Sequence, residues 1–450
     1  MNKAAPLKNN VYFLCSPSVG ILDNWLSVIW RLKEKREDLN FIIIFPKLNF
    51  GDQIQLSNIL FILADKIFDC VVFRSHAGNW LYADTIAQAR AINQLTGLEW
   101  FIVRAMNKLK KWHVVRWVNN LIQYGYNKLS KLRDKKYLYD WKFDENHSTC
   151  MLFDVSEESK PYNASLMKNF KETPKFSICH GIDIHNGGVL KFSKKILDDG
   201  YRKDIQAYLF SSKEIPLYEH RYAIHKSFIK VVGVPRHSPD WMDFMLSNIV
   251  KKTNDLSSDF IFIISRPGNT IYHSYKRKKK ALKDIKRIAW IDLKKKIVVK
   301  LHPKERKEGL YEEVFGTDTY GDKWVYSDLP PFVLGKECSF AVCFYSGVAC
   351  DMIALGVPTI EYLDLRGIPE CDNSESLRDK HGHPVSSYRY LNLVLGASDY
   401  EQMRAHALEI MHNREAVVSG LQAIYYELFP RIKNINEVIA LDILYSIGDP

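Results

Sequence analysis

The chain has 450 residues, of which 46% are hydrophobic and 26% are charged. These values are ordinary for a globular protein and argue against a disordered chain, a collagen or a coiled coil. The net charge is +11, from 63 basic and 52 acidic residues, which favours an anionic partner such as a phosphorylated donor, a nucleic acid or a membrane surface.

Short apolar runs alternate with longer helical patterns along most of the chain. The runs are nearly continuous and rich in β-branched and aromatic residues, which is typical of parallel strands covered on both faces. The predicted strands are residues 11–15, 41–45, 70–73, 149–153, 176–179, 207–211, 228–232, 260–265, 296–301, 323–326, 340–344 and 359–362. The predicted helices include residues 53–67, 81–94, 348–355, 401–411 and 434–445. This order predicts an α/β protein with two doubly wound, Rossmann-like domains.

A polar stretch, "SNIVKKTNDLSSD" at 247–259, separates the two series of strands. We therefore expect one domain over residues 1–250, a second over 251–430, and a final helical segment over 431–450. The first domain carries a basic helical insertion at about residues 100–140.

The eight cysteines contain no CxxC pair, which argues against a disulfide framework or a structural zinc site. Cys15, Cys70 and Cys343 lie in apolar runs, where buried free thiols belong. No signal peptide is visible, and no run approaches the roughly 20 apolar residues of a membrane span. We therefore expect a cytoplasmic protein.

Ligands bind beyond the carboxyl ends of parallel strands, so the residues that follow each predicted strand are candidates for a site. Lys300, His302 and Lys304 could hold a phosphate, although Pro303 between them also suits a structural turn. Arg266 offers an anchor for a phosphate or a carboxylate.

Ser346 and Gly347 precede a predicted helix. Free backbone N–H groups at a helix N-terminus form an anion site, and the simpler interpretation is that Ser346 caps the helix. The two interpretations are compatible.

Acid and base groups follow several strands of the first half. Asp154 and Glu157 lie in "FDVSEE", and His180 and Asp183 lie in "CHGIDIHNGG". They are sufficient for general acid–base catalysis. The spacing of His180, Asp183 and His185 matches no strong metal signature, so we expect no metal.

The stretch "GVPRHSPDW" places Arg236, His237 and Asp240 after another strand. Crowded charged groups of this kind suit substrate binding or catalysis. Asp240 could equally cap a helix that starts at Trp241.

The segment 100–136 contains ten basic residues and one acidic residue, interleaved with aromatic side chains. This composition suits an interfacial element on anionic lipid, and equally a helical insertion with a solvated basic face. A nucleic-acid groove ranks third because no recognition module is legible. We expect no nucleic-acid partner.

Two nucleotide-binding signatures are absent. The chain has neither GxGxxG after the strand at 260–265 nor GxxxxGK[ST], which argues against a nicotinamide enzyme and a P-loop NTPase.

The motifs "KVVGVPR", "VVKLHPKE" and "FYSGVACDMIALGVPTIEY" resemble those of bacterial GT-B glycosyltransferases of surface-polysaccharide assembly. That set includes enzymes that use CMP-activated acidic sugars and teichoic-acid glycerophosphotransferases that use CDP-glycerol. With "FDVSEE", "CHGID", "GVPRHSPDW", "SRP" and "KLHPKE", the chain looks most similar to the retaining β-Kdo transferases, which use CMP-β-Kdo. The resemblance implies two Rossmann-like domains that face a cleft, with the last helix returning to the first domain.

The resemblance also implies roles for individual residues. His302, Pro303, Lys304 and Ser346 would hold the CMP moiety, Glu361 would face the ribose, and Arg266 would lie near the donor. Asp240 is the candidate nucleophile at the anomeric carbon, with Asp183 as its competitor, and Asp154 or Glu157 would be a second acid or base. The full expected donor-binding set is Arg236, Arg266, Lys300, His302, Pro303, Lys304, Ser327, Ser346, Gly347 and Glu361.

The predicted function is therefore transfer of Kdo from CMP-β-Kdo to a capsule or lipopolysaccharide glycan, with retention and without a cofactor or metal. The alternatives are a transferase dependent on CMP-sialic acid or CDP-glycerol, and a non-enzymatic protein that binds anionic glycan or lipid. Through the segment 100–136, the protein could associate with the inner face of the cytoplasmic membrane.

Overall fold

A computed structural model describes residues 9–16, 19–46, 58–75, 79–93, 141–182, 194–249, 259–268, 272–302, 305, 309–368 and 377–448. The chain divides into two compact units. The first comprises Met1–Ile54, Leu60–His180 and Ile439–Pro450, and the second comprises Gln55–Ile59 and Gly181–Val438. The predicted domain boundaries near residues 250 and 430 stay predictions.

In the first unit, six strands lie in the order β4-β3-β2-β1-β5-β6. Their pairings are parallel except that β4 runs antiparallel to β3. The bounds are β1 Asn10–Leu14, β2 Asn40–Phe45, β3 Cys70–Arg74, β4 Trp80–Ala83, β5 Ser148–Phe153 and β6 Lys175–Ile178. β1, β3 and β5 are apolar on both faces and almost wholly buried, as parallel strands covered by helices require.

In the second unit, a parallel pair of strands precedes a six-stranded parallel sheet of order β11-β10-β9-β12-β13-β14. The pair is β7 Ile205–Leu209 and β8 Ile229–Val231. The sheet comprises β9 Phe260–Ile264, β10 Ile297–Lys300, β11 Trp324–Tyr326, β12 Cys338–Cys343, β13 Thr359–Tyr362 and β14 Leu395–Ala397. Its core packs β-branched strand residues against buried faces of the flanking helices.

The α-helices are α1 Val19–Lys35, α2 Asn58–Ile67, α3 Ile86–Asn93, α4 Pro161–Met167, α5 Lys194–Asp199, α6 Ile215–His220, α7 Pro239–Ile249, α8 Tyr275–Arg287, α9 Leu310–Phe315, α10 Pro331–Glu337, α11 Val348–Ala354, α12 Ser387–Tyr390, α13 Tyr400–Leu428 and α14 Ile435–Ser446. A π-helical turn, Ile288–Asp292, continues α8. None of the helices in the described ranges combines the length and apolarity needed to cross a bilayer.

Each of the twelve predicted strands overlaps an observed one, and the α/β class is confirmed. Cys15, Cys70 and Cys343 are buried free thiols, as expected.

Two strands were not predicted from the sequence. The helix predicted at 81–94 is wrong in its first part, because β4 occupies Trp80–Ala83 and only α3 is helical. The β4 residues alternate between half-buried and buried, which is the period of a strand at a sheet edge. β14 was missed because three residues with a central glycine carry no apolar run.

Candidate functional site

An aspartate and a histidine meet at the carboxyl ends of β5 and β6 in the first unit. The Asp154 side chain is fully buried, and its Oδ2 accepts hydrogen bonds from His180 N at 2.9 Å and from His180 Nδ1 at 2.6 Å. Oδ1 accepts from Ser156 N at 2.8 Å, so the carboxylate also caps the short helical turn Val155–Glu157. Two of these three hydrogen bonds come from His180, so Asp154 is placed to orient His180.

His180 itself is accessible, because 45% of its side chain is exposed. A carboxylate that accepts the Nδ1–H of an imidazole fixes the tautomer whose lone pair is on Nε2. That is the form in which histidine acts as a general base. The pair therefore has the parts of a proton-transfer site.

Glu157 lies beside this pair and is 8% exposed. Burial raises its pKa, and Asp154 adds to that effect while Lys160 and His180 oppose it. Within the described part of the chain, Glu157 Oε2 has no hydrogen-bond partner. A buried carboxyl group with an unsatisfied oxygen is a candidate proton donor.

In the second unit, three of the predicted donor-binding residues lie at the carboxyl ends of β9 and β10: Arg266 in the loop after β9, Lys300 as the last residue of β10 and His302 in the loop after it. The Arg266 guanidinium donates to the Tyr345 carbonyl and lies 5.1 Å from the Tyr345 ring centroid. Lys300 Nζ donates to the Asp328 carbonyl at 3.2 Å. Burial lowers the pKa of Lys300 to about 8, although Asp328 opposes the shift.

The loop after β12 contains Tyr345, Ser346 and Gly347. Tyr345 has φ of +62°, a left-handed conformation that costs free energy for a side chain of this size. Ser346 Oγ accepts from Val348 N at 3.4 Å, which is long for such a bond, and the N-cap residue of α11 is Gly347 rather than Ser346. A Cβ on Gly347 would lie 3.2 Å from the Tyr388 hydroxyl, so a side chain there would be crowded.

Glu361 is the last residue but one of β13 and is a fully buried carboxyl group. Ser386 Oγ donates to its Oε2 at 2.6 Å, and Arg389 Nε lies 3.0 Å from the same oxygen. Burial raises the pKa of Glu361 against the opposing charge of Arg389. Among the described residues, Oε1 has no hydrogen-bond partner.

A second ionic cluster lies elsewhere in this unit. Arg236 is 5% exposed, and its Nε donates to Asp351 Oδ1 at 2.9 Å. His237 contacts the same oxygen through Nε2 at 2.5 Å and the Tyr425 hydroxyl through Nδ1 at 2.5 Å. The guanidinium of Arg236 is thus committed to a buried carboxylate of α11, and its predicted contact with a donor stays a prediction.

The remaining predicted residues are placed as follows. Asp240 lies in the first turn of α7 and accepts a hydrogen bond from the Ser238 hydroxyl, so the helix begins before Trp241. An acid in this position stabilises the helix through its dipole. Ser327 Oγ accepts from Leu329 N at 3.3 Å in the turn after β11. The nucleophilic role of Asp240 and the donor-binding role of Ser327 stay predictions.

Asp183, Pro303, Lys304 and the basic segment 100–136 lie outside the described residues. Their predicted roles also stay predictions. In the described ranges, no group of three or more His, Cys, Asp or Glu side chains is arranged to hold a metal ion.

Sequence reasoning missed Lys278, Glu305, Tyr345, Asp351 and Tyr425. Lys278 lies in a run of five basic residues, 276–280, in which nothing distinguishes it from its neighbours, yet its side chain is 1% exposed. Asp351 follows "SGVAC" inside a predicted helix, and nothing local shows that Arg236 reaches it. Three of them carried a signal, since Glu305 completes the "KLHPKE" motif and Tyr345 and Asp351 lie in "FYSGVACDMIALGVPTIEY".

Neither a comparison with protein-family models nor one with curated proteins finds a match. Several solved structures match over nearly the whole chain. The wall teichoic acid polymerase TagF aligns with 11% identity and a TM-score of 0.52, covering 98% of this chain and 90% of that one. UDP-GlcNAc 2-epimerase from Neisseria meningitidis, bound to UDP-GlcNAc, aligns with 11% identity and a TM-score of 0.51, covering 97% and 99%. S. aureus MnaA, solved with UDP, aligns with 10% identity and a TM-score of 0.51, covering 98% of each chain.

These likenesses and the two series of parallel strands establish the fold. The chain is an α/β protein with two Rossmann-like domains in the GT-B architecture. At identities this low the likeness shows the fold alone, and function has to be argued from the residues.

Proposed function

We propose that the protein is a nucleotide-sugar-dependent transferase that builds a cell-envelope glycan, with His180 as the acid–base residue. The observation that carries this proposal is the pair formed by the buried Asp154 carboxylate and the half-exposed His180 imidazole. A protein that only binds an anion needs positive charge but has no use for an oriented, accessible base.

The chemical step needs a base and a stabilised leaving group. The acceptor hydroxyl gives its proton to His180 Nε2 as its oxygen bonds to the anomeric carbon. The bond from that carbon to the donor phosphate oxygen breaks, and the nucleotide leaves as an anion. Arg266, Lys300 and His302 are the groups proposed to stabilise that anion.

Lys300 suits this role because burial already lowers its pKa to about 8. A phosphate anion beside Lys300 stabilises the charged form of its ammonium group, which burial destabilises. The charged lysine in turn stabilises the bound nucleotide. The unsatisfied Oε1 of Glu361 adds an acceptor for a ribose hydroxyl at the end of β13.

The finer proposal is that the donor is CMP-β-Kdo and that the acceptor is a capsule or lipopolysaccharide glycan. Its support is the resemblance of the strand-end motifs, "KLHPKE" and "FYSG" among them. Retention belongs to the same finer proposal and replaces the single displacement above with two. The carboxylate of Asp240, or of Asp183 as its competitor, first displaces the nucleotide from the anomeric carbon, and the acceptor hydroxyl, which gives its proton to His180, then displaces that carboxylate. Two of the similar solved structures are named with UDP or UDP-GlcNAc. Binding of a uridine nucleotide to this protein would therefore argue against CMP-β-Kdo as the donor.

A panel of free nucleotides tests the donor. CMP, CDP, UDP, GDP and ADP are each added to the purified protein, and the melting temperature is followed. We expect a rise with CMP, because ligand that binds only the folded state stabilises by about 2.7 kcal/mol at a hundredfold excess over Kd. The rise should be smaller in His302→Ala, which removes one of the three groups proposed to hold the phosphate. A rise with UDP alone would agree with a nucleotide-dependent enzyme and would contradict CMP-β-Kdo as the donor. No rise with any nucleotide would contradict the proposed function as a whole.

A matched pair of histidine variants tests the chemistry. His180→Gln should keep the thermal shift with nucleotide and lose turnover, since it removes the proposed base and none of the proposed nucleotide ligands. His225→Gln is the control, because His225 hydrogen-bonds Ser227 in its own turn at 2.7 Å and should leave both unchanged.

Cytoplasmic location and peripheral membrane association remain part of the proposal. Their support is the composition of the segment 100–136, with ten basic residues among aromatic ones. Co-sedimentation with vesicles containing phosphatidylglycerol should exceed that with neutral vesicles and should fall as salt rises. Equal sedimentation with both vesicle types would contradict it.

A further inference from the structure

A buried lysine joins two of the loops that carry proposed donor-binding residues. Lys278 lies on α8, and its Nζ donates to Ser265 Oγ at 3.0 Å, to the Arg266 carbonyl at 2.9 Å and to Glu305 Oε1. The ammonium group has three N–H donors, and all three are used within the protein. Lys278 is therefore committed to holding other residues in place.

Glu305 completes the connection from the other side. Its Oε2 accepts from Ser265 Oγ at 2.5 Å and from His302 N at 3.3 Å. The Glu305 carboxylate thus contacts both loops. It binds Ser265, which precedes Arg266 in the loop after β9, and the backbone of His302 in the loop after β10.

The sheet places these loops side by side. β9 and β10 are parallel neighbours, and their last residues, Ile264 and Lys300, are in register. Arg266 and His302 therefore emerge from the same edge, two residues beyond the end of each strand. The paired residues of the two strands end at Ile264 and Lys300. Beyond them, the Lys278–Glu305 ion pair connects the two loops.

Burial makes this connection rigid. The side chains of Lys278 and Glu305 are 1% and 7% exposed, and Tyr311 closes the cluster with its hydroxyl near Ser265 Oγ. In a low-dielectric surrounding, a charged pair with its hydrogen bonds made resists rearrangement, and removing one partner leaves the other uncompensated.

We propose that Lys278 is a positioning residue, which fixes Arg266 and His302 for nucleotide binding by cross-linking the loops that follow β9 and β10. This inference rests on the proposed function for what the loops bind. The cross-link itself is a property of the ligand-free protein.

The first arm of the test measures that cross-link without ligand. Amide hydrogen exchange is followed in Lys278→Met, in peptides covering Arg266 and in peptides covering His302. We expect both regions to exchange about tenfold faster together, because a network contact worth about 1.4 kcal/mol is lost from both. The double variant K278M/E305Q removes both charges, so it provides the same readout if the single variant does not fold.

The chain offers a matched control at the opposite end of β9 and β10. Lys295 Nζ lies 2.5 Å from Asp259 Oδ1, at the opposite end of β9, and the Lys295 side chain is 8% exposed. Lys295→Met should leave exchange at Arg266 and His302 unchanged. Faster exchange in only one of the two loops, or equal changes with Lys295→Met, would overturn the cross-link.

The second arm measures CMP affinity in two backgrounds. Lys278→Met should weaken binding about tenfold in the otherwise wild-type protein and have no further effect in R266A/H302A, because it acts through those side chains. Lys278→Arg should restore part of the affinity. An equal loss of CMP affinity in the wild-type and R266A/H302A backgrounds would contradict a positioning role for Lys278. If the wild-type protein binds no nucleotide, the proposed function fails, and the exchange arm still decides the cross-link.

Discussion

Among the aspartate–histidine pairs of the described residues, two have nearly the same short contact distance and very different surroundings. His180 Nδ1 lies 2.6 Å from Asp154, and His237 Nε2 lies 2.5 Å from Asp351. The His180 side chain is 45% exposed, whereas that of His237 is 6% exposed. Access to solvent, rather than the pair itself, separates a site that can exchange protons with a substrate from one that holds structure.

The partners of the buried pair support this distinction. Arg236 neutralises Asp351, and the Tyr425 hydroxyl faces His237 Nδ1. A neutral imidazole satisfies both contacts, since Nε2–H donates to the carboxylate and Nδ1 accepts from the hydroxyl. Burial lowers the pKa of His237 despite the opposing effect of Asp351, which keeps it neutral. The cluster therefore fixes the segment after β8 to α11 and α13.

The largest expected effect is on turnover at the exposed pair. His180→Asn should lower kcat by about 10³-fold, within the range of a lost general base, because no oriented nitrogen remains to take the acceptor proton. Steady-state assay of nucleotide release measures it, with the melting temperature as the check on folding. A kcat within a factor of three of wild type would remove His180 from the chemistry.

The next effect is on stability at the buried pair. Asp351→Ala should lower the free energy of unfolding by about 3 kcal/mol, because it leaves the Arg236 guanidinium buried without its carboxylate. Urea denaturation measures the change. A loss below about 1 kcal/mol would mean that Arg236 finds water or another acceptor, and that the cluster is less important to the fold than its burial indicates.

Removing the orienting carboxylate of the exposed pair sharpens the comparison. Asp154→Asn should lower kcat by about 10²-fold, because His180 remains but loses the acceptor that fixes its tautomer. The same change should alter the pH dependence of kcat, which a loss of stability alone would not do. Unchanged kcat together with an unchanged pH profile would show that Asp154 acts only as a helix cap.

The smallest expected effect is a loss of stability in mild acid. The pKa of His237 in the folded protein lies below its ordinary value of 6.5, and burial lowers that of His273 to about 3. The unfolded chain therefore binds more protons below pH 6.5, so stability is complete above that pH and falls as the pH drops. Each group contributes up to about 1.4 kcal/mol per pH unit.

The measurement is the free energy of unfolding at pH 7.5 and at pH 5.5. The decrease at the lower pH should be smaller in His237→Gln than in wild type. An equal decrease in both proteins would show that His237 takes up a proton while folded, and hence that its surroundings are wetter than the structure indicates.

How far the sequence could predict this molecule depends on the range of the interaction. Strands such as β5 and β12 were predictable because continuous apolar runs record burial on both faces. Asp154 and His180 were recognisable as an acid and a base, but they are 26 residues apart, and their contact depends on how β5 and β6 pair. The sequence predicts Arg236 as a donor ligand because its actual partner, Asp351, lies 115 residues away and cannot be recognised from the local pattern.

Local backbone conformation was the second feature that the sequence could not predict. The positive φ of Tyr345 follows from the packing of the loop after β12 and has no glycine to announce it. Asp240 had two local interpretations, a nucleophile or a helix-start residue, and its placement in the first turn of α7 accounts for its charge without deciding its chemistry.

One comparison of kinetics tests the central claim most directly: kcat per folded molecule in His180→Gln and in His237→Gln, measured side by side. The account predicts that the first falls by about 10³-fold while the second stays close to wild type once the folded fraction is corrected. The reverse result, with turnover lost at His237 and kept at His180, would contradict the assignment of chemistry to the exposed pair.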